Sequence, residues 1–239
     1  MHTLDMQPVA CLKPRELQPV APWRHTVILI VVFTAVAVAG AISQGHIQGG
    51  AAARHPDAVP LYGSLILMEW GLVAYVWRGG LRRSGTSLRA VIGGRSRGVR
   101  DIAVDLALAV VLWGGWTLLD HAWDRWLGAA PGSTVEHLRP HGGVEAALWI
   151  ALSMSAGFAE ELVFRGYFLR QFAALTGRTD LAIVLQALLF GIGHGYQGAA
   201  ACLRIAVYGL FFGGLAVWRR SLRPGMAAHA LTDIIAGLM

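Results

Sequence analysis

An all-α, polytopic transmembrane bundle of about seven spans, with its chemistry in the C-terminal four, is the fold that the sequence predicts. Three observations predict it. Of the 239 residues, 55% are hydrophobic and only 14% charged, where a soluble domain carries about 25% charged residues; the mean hydropathy is +0.53. Apolar segments recur near residues 26–43, 60–77, 102–119, 145–174, 181–196, 199–218 and 222–239. Hydrocarbon leaves the backbone no water to bond, so each is expected to be a helix. Finally, the basic residues alternate between the connecting segments. Counted with the N-terminus inside, the inner segments hold fifteen Lys and Arg, from Lys13, Arg15 and Arg24 through Arg78–Arg100, Arg170 and Arg178 to Arg219, Arg220 and Arg223. The outer segments hold Arg54, Arg125 and Arg139. That asymmetry predicts a cytoplasmic N-terminus.

Residues 1–25, broken by Pro8, Pro14, Pro19 and Pro22, read as a cytoplasmic tail. The first span has small residues at Ala39-Gly40-Ala41 that would suit cleavage, but it exceeds a signal-peptide core and more spans follow, so it is expected to be an uncleaved anchor. Residues 26–140 form accessory transmembrane helices, and their Arg-rich loop 78–100 is expected at anionic lipid. Trp77, Trp123, Trp126 and Trp218 fall near predicted helix ends, as an interfacial belt requires. Arg204, near the outer end of the sixth span, is expected to snorkel. The segment 145–174 is long enough to tilt or to extend into water. The net charge of +6 is explained by loop arginines at a lipid surface and does not call for nucleic acid. Cys11 and Cys202 make neither a disulfide framework nor a metal spacing. The heavy use of Arg suggests a bacterial source, and hence the inner membrane.

Ionisable groups inside spans cost several kcal/mol and mark function by default. The last four spans, residues 145–239, carry three sets of them and form the expected catalytic core. In Glu160-Glu161-Leu162-Val163-Phe164-Arg165, Glu161 and Arg165 are four residues apart and share a helix face. Glu160 is turned about 100° away and is the less compensated carboxylate, suited to a general base. In Phe190-Gly191-Ile192-Gly193-His194, the phenylalanine lies one turn before the histidine and can shield it, while the glycines admit another backbone or a substrate. In His229-Ala230-Leu231-Thr232-Asp233, the four-residue spacing lets Asp233 fix the His229 tautomer, or lets both face a substrate. Glu69 in the second span and Asp105 near the start of the third have no motif around them and read as polar packing groups. Glu136, His137, His141 and Glu145 resemble metal ligands superficially, but a solvated loop before a helix explains them.

In order and spacing the three sets resemble the CPBP family of CAAX proteases and bacteriocin-processing membrane peptidases, whose pattern runs EExxxR, FxxxH, HxxxN. The resemblance covers about residues 145–236 and leaves out the first three helices. It implies a glutamate-dependent intramembrane endopeptidase acting on a membrane-associated or lipidated peptide, with no cofactor. Glu160, aided by His194, would activate water; His229 and Asp233 would stabilise the oxyanion; Glu161 and Arg165 would hold the helix geometry. Asp233 departs from the usual asparagine. Either it stays protonated and donates, as a buried acid can, or it only orients His229.

Three alternatives use the same residues. Glu160, His194 and His229 supply the donors of a catalytic zinc site. A catalytically silent immunity or peptide-binding membrane protein needs no water activation. A proton-coupled transporter would show inverted repeats, and the sequence has none.

Overall fold

The computed structural model describes residues 18–48, 58–94, 98–127 and 138–239, and among them no strand occurs. The expectations resting on Cys11, Lys13, Arg15, Arg54, Arg95, Arg97, Glu136 and His137 lie outside these residues.

Helix α1 (Trp23–Gln48) follows Pro19 and Pro22, whose fixed φ suits a helix entrance. Its valines and isoleucines point outward on most sides, with Val31 59% and Ile42 58% exposed, as in a helix that faces lipid. The chain entering it is held by one buried side chain. Gln171 accepts from the Val20 and Ala21 N–H groups at 2.9 and 3.2 Å and donates to the Ala21 carbonyl at 2.7 Å. Phe33 packs on Phe164 with ring centroids 5.1 Å apart.

Helix α2 (Ala58–Val76) ends in a π-helical turn, Trp77–Leu81. Its buried residues are Tyr62, Glu69, Val73 and Val76, a stripe that follows the helical repeat. The expected Arg-rich loop contains structure of its own. Helix α3 (Leu88–Ile92) begins at Ser87, whose hydroxyl accepts from the Ala90 N–H. Its end receives the Leu222 N–H on the Ile92 carbonyl at 3.0 Å, and Arg223 donates to the Gly93 and Gly94 carbonyls.

Helix α4 (Val99–Leu127) is 29 residues long. Helix α5 (Gly143–Glu161), a π-helical turn (Leu162–Phe168) and α6 (Leu169–Thr176) form one apolar rod of 34 residues, about 51 Å at 1.5 Å per residue. That exceeds the ~30 Å hydrocarbon core, so the rod tilts or projects. Glu145, in its first turn, accepts the His141 backbone N–H at 2.7 Å, the arrangement of a helix start. Helix α7 (Thr179–Gly193), a 3₁₀ turn (Gly195–Gln197), α8 (Ala199–Arg219) and α9 (Arg223–Leu238) complete the bundle.

Five of these helical stretches are long and apolar enough to cross a membrane. The other two expected spans are shorter, 15 residues in α7 and 16 in α9. A stretch shorter than the hydrocarbon thickness is accommodated by local thinning of the bilayer or by snorkelling flanking residues.

Close approach builds the C-terminal half. A Cβ added at Gly157 of α5 would lie 2.8 Å from the Ala230 nitrogen and 2.9 Å from the Met226 oxygen of α9. At Gly191 of α7 it would collide with the Cys202 carbonyl of α8. Small residues at helix contacts supply the van der Waals packing that replaces the hydrophobic drive inside a bilayer. The core beneath is largely aromatic: Phe164, Tyr167, Phe168, Phe190 and Phe212 are each at most 1% exposed.

Two loosely placed charges prove to be ion-pair members. Arg204, near the start of α8, bonds Asp120 at 2.7 Å and Asp124 at 2.6 Å. Asp105 is buried and accepts from Arg219 at 2.9 Å, and Asp101 receives the same arginine at 3.0 Å. Both ends of α8 are thereby tied to α4. Trp126 and Trp218, 81% and 63% exposed, stand at helix ends as an interfacial belt would.

Candidate functional site

The polar centre lies between α5, α7 and α9. Glu160 and Glu161 occupy the last turn of α5, directly before the π-helical turn that holds Arg165. Such turns interrupt the regular ladder and recur at functional sites. Arg165 and Glu161 pair at 3.0 Å with side chains 0% and 1% exposed. The guanidinium also lies over three rings: its carbon is 4.3 Å from the centroid of Phe190, 5.4 Å from Phe212 and 6.0 Å from Phe164. Aromatic faces supply part of the stabilisation that water would otherwise give a buried cation.

Glu161 has a second partner. Its Oε1 lies 3.1 Å from His229 Nδ1. A carboxylate oxygen accepts, so Nδ1 carries the proton. The other nitrogen, Nε2, faces Glu160 Oε2 at 3.7 Å and Asp233 Oδ2 at 3.6 Å. Asp233 therefore does not reach Nδ1, and the ring orientation expected from Asp233 comes from Glu161. The backbone carbonyl of Asp233 accepts from Trp149 Nε1 at 2.9 Å, which fixes this turn of α9 against α5.

Exposure grades across the cluster. Arg165 and Glu161 are dry, the His229 side chain is 7% exposed, Glu160 18% and Asp233 35%. One end is a sealed ion pair, and the other is open. Glu160 Oε2 is buried without a hydrogen-bond partner, a position that favours an added polar group.

His194 caps the C-terminus of α7, one residue beyond the helix in which it was expected. Its Nδ1 lies 2.9 Å from the Phe190 carbonyl. A carbonyl only accepts, so Nδ1 holds a proton, and Nε2 is the ring nitrogen left for another partner. Phe190 serves both histidines, with ring centroids 4.8 Å from His194 and 6.1 Å from His229. The contacts thus gather Glu160, Glu161, Arg165, His229 and Asp233 directly, and bring in His194 through Phe190.

Two further residues belong to the centre: Glu69, which the sequence reads only as a polar packing group, and Tyr208, which it does not single out. Glu69 of α2 is buried and interacts with Glu160, His229 and Asp233. Its place in the Tyr62–Val73–Val76 stripe was the available signal, because a charge in phase with a buried face must meet something polar. Tyr208 of α8 packs its ring 5.9 Å from His229, and its hydroxyl has no hydrogen-bond partner.

Among the described residues no three His, Cys, Asp or Glu side chains are grouped so as to hold a metal ion. Cys202 is a free thiol in α8.

Residues 142–235 match a protein family described as Type II CAAX prenyl endopeptidase Rce1-like, in agreement with the CPBP resemblance of the motifs. The matched stretch runs from just before α5 into the last turn of α9 and supports a CAAX-type membrane protease. No curated protein and no solved structure was found to match the chain.

Proposed function

We propose that this membrane chain, Rce1-like over residues 142–235, is an intramembrane endopeptidase that hydrolyses a peptide bond in a membrane-associated or lipidated substrate by glutamate-activated water. One observation carries the reading. His229 is clamped at Nδ1 by a sealed carboxylate, while its Nε2 faces the partly open Glu160 and Asp233.

The chemistry follows from the donors and acceptors. Glu160 takes one proton from water, and His194 Nε2 accepts a hydrogen bond from the remaining O–H. The water oxygen bonds to the substrate carbonyl carbon as the carbonyl electron pair moves to oxygen. With Nδ1–H committed to Glu161, His229 donates to that oxyanion through a protonated Nε2. Collapse of the tetrahedral species breaks the C–N bond, and the proton held by Glu160 goes to the leaving amine. The products are a carboxylic acid and an amine, and the acid proton passes to the amine to give a carboxylate and an ammonium.

Charge balance supports the assignment of Asp233. Ionised Glu160 and Glu161 are matched by Arg165 and a protonated His229, so a neutral Asp233 leaves the centre uncharged, as a site within a bilayer favours. A protonated Asp233 then donates where asparagine does in the related motif. Glu161 and Arg165 hold the geometry. The reading places 1–25 in the cytoplasm as a tail, 26–140 as accessory helices and 145–239 as the catalytic core, in a bacterial inner membrane. It requires no metal, so chelator-treated protein retains activity.

The test is comparative proteomics of membrane fractions from cells with the wild-type protein and with Glu160→Ala. Uncut forms of one or more membrane-associated proteins accumulate in the variant. An identical processing pattern in both cells contradicts the reading and favours a silent binding protein.

A further inference from the structure

The catalytic motifs end at the region matched to the family, but the polar centre does not. Glu69 stands on α2, more than seventy residues before the matched stretch. It is 6% exposed. It shares the inward stripe of α2 with Tyr62, Val73 and Val76. Around it α2 is locked onto α5: Trp70 stacks on Phe158 with centroids 5.6 Å apart, and Trp70 Nε1 donates to Ser155 Oγ at 3.3 Å. These contacts keep the Glu69 segment of α2 beside the last turns of α5, which carry Glu160.

The charged and titratable groups that interact electrostatically with Glu69 are the Glu160 carboxyl of α5, His229 and Asp233 of α9, and Tyr196 of the 3₁₀ turn. Two buried oxygens, Glu69 Oε2 and Glu160 Oε2, have no hydrogen-bond partner. Two ionised carboxylates in contact inside a low-dielectric site repel strongly, and such pairs retain a proton between them. A proton on either acid converts two orphaned acceptors into a donor and an acceptor. The less exposed acid keeps it, because burial opposes the charged form. Glu69 is 6% exposed as a residue, while the Glu160 side chain is 18% exposed.

We propose that Glu69 is a positioning residue of the hydrolytic centre, a neutral carboxylic acid that donates a hydrogen bond from α2 to the ionised carboxylate of Glu160. The inference rests on the hydrolase reading for its consequence, but not for its geometry. It gives an accessory helix a defined task. Glu69 orients the base, and it adds no net charge to a centre whose other charges already cancel.

Infrared spectroscopy of the full-length protein in lipid bilayers near neutral pH tests the proton directly. In an Asp233→Asn background, which removes the other acid proton of the centre, a protonated-carboxyl C=O band is present, disappears on adding Glu69→Gln and persists on adding Glu160→Gln. Loss of a carboxylate band in Glu69→Gln, with no change in the acid band, overturns the proposal. The second arm follows the substrates that accumulate uncut in Glu160→Ala cells. Glu69→Gln, which keeps a donor, processes them within about threefold of wild type, and Glu69→Leu slows processing by about tenfold or more. Thermal unfolding of each variant shows that it is folded; should Glu69→Leu unfold, Glu69→Met takes its place with the same expectation. Wild-type processing by folded Glu69→Leu or Glu69→Met means that Glu69 is only a packing group and ends the inference. If Glu160→Ala itself leaves processing intact, the hydrolase reading fails, and the infrared result still decides whether Glu69 holds the proton.

Discussion

Helices α4 and α5 are both long and apolar enough to cross a bilayer, yet 11% of the most apolar window of α4 is buried and 56% of that of the α5–α6 rod. The polar groups are distributed in opposite ways. On α4 the acids sit near the two ends, Asp101 and Asp105 facing Arg219, Asp120 and Asp124 facing Arg204. On the rod they sit in the middle, at Glu160, Glu161 and Arg165, enclosed by α7, α8 and α9. A helix that keeps its charges at its ends is fastened by them. A helix that carries them at mid-span must have neighbours that neutralise them, and that enclosure makes a reaction centre possible.

The sharpest way to break this contrast is Glu160→Gln. The substitution keeps volume and polarity but removes the carboxylate proposed as the base. Processing falls by about 10³-fold, within the range for positioned acid–base groups, while the melting profile stays close to that of wild type. Precursor accumulation in membranes measures the first and thermal unfolding in detergent the second.

Removing the sealed cation comes next, and here stability is the readout. Arg165→Leu leaves Glu161 as a buried charge with one partner fewer and costs about 3–5 kcal/mol. Glu161→Gln with Arg165→Leu costs less than Arg165→Leu alone, since no orphaned carboxylate remains. A double variant less stable than the single would mean that the pair does not act as a unit.

The α5–α9 contact is tested by Gly157→Val, which inserts carbon where the α9 backbone lies under 3 Å from the new Cβ. Overpacking of this kind costs about 1–3 kcal/mol. It also moves His229 off Glu160, so activity drops in protein that is still folded.

The ties of α4 are weaker. Arg204→Ala costs about 0.5–1 kcal/mol in a thermal-melt comparison, because its partners Asp120 and Asp124 are 36% and 42% exposed and such pairs contribute little. Weakest of all is the Arg178–Asp180 pair in the α6–α7 turn. Arg178 holds the Asp180 carboxyl down at about 2. A depressed carboxyl contributes stability above its ordinary range and loses it as pH falls towards 2. Both side chains are about two-thirds exposed, so Asp180→Asn leaves the melting midpoint unchanged at neutral pH.

The same contrast explains what the sequence discloses. Span positions follow from composition, and the Glu161–Arg165 and His229–Asp233 spacings place each pair on one face because those relations lie within a helix. Relations between helices carry no such mark. Nothing in the chain around Glu161 says that its carboxylate, rather than that of Asp233, takes His229 Nδ1, or that Arg204 meets α4. The π-helical turns depart from the 3.6-residue repeat on which facing was argued. His194 falls just outside α7, as its C-cap, where the chain turns into the 3₁₀ segment Gly195–Gln197. Glu69 had only its phase with three apolar neighbours to announce it.

The central claim is that Glu160 delivers water to a peptide bond. Purified protein in liposomes, given a precursor recovered from Glu160→Ala membranes, is incubated in isotopically labelled water and the cleaved product weighed by mass spectrometry. The account predicts one heavy oxygen in the new C-terminal carboxylate with the wild type, and no product with Glu160→Gln. Cleavage by Glu160→Gln at the wild-type rate would contradict it.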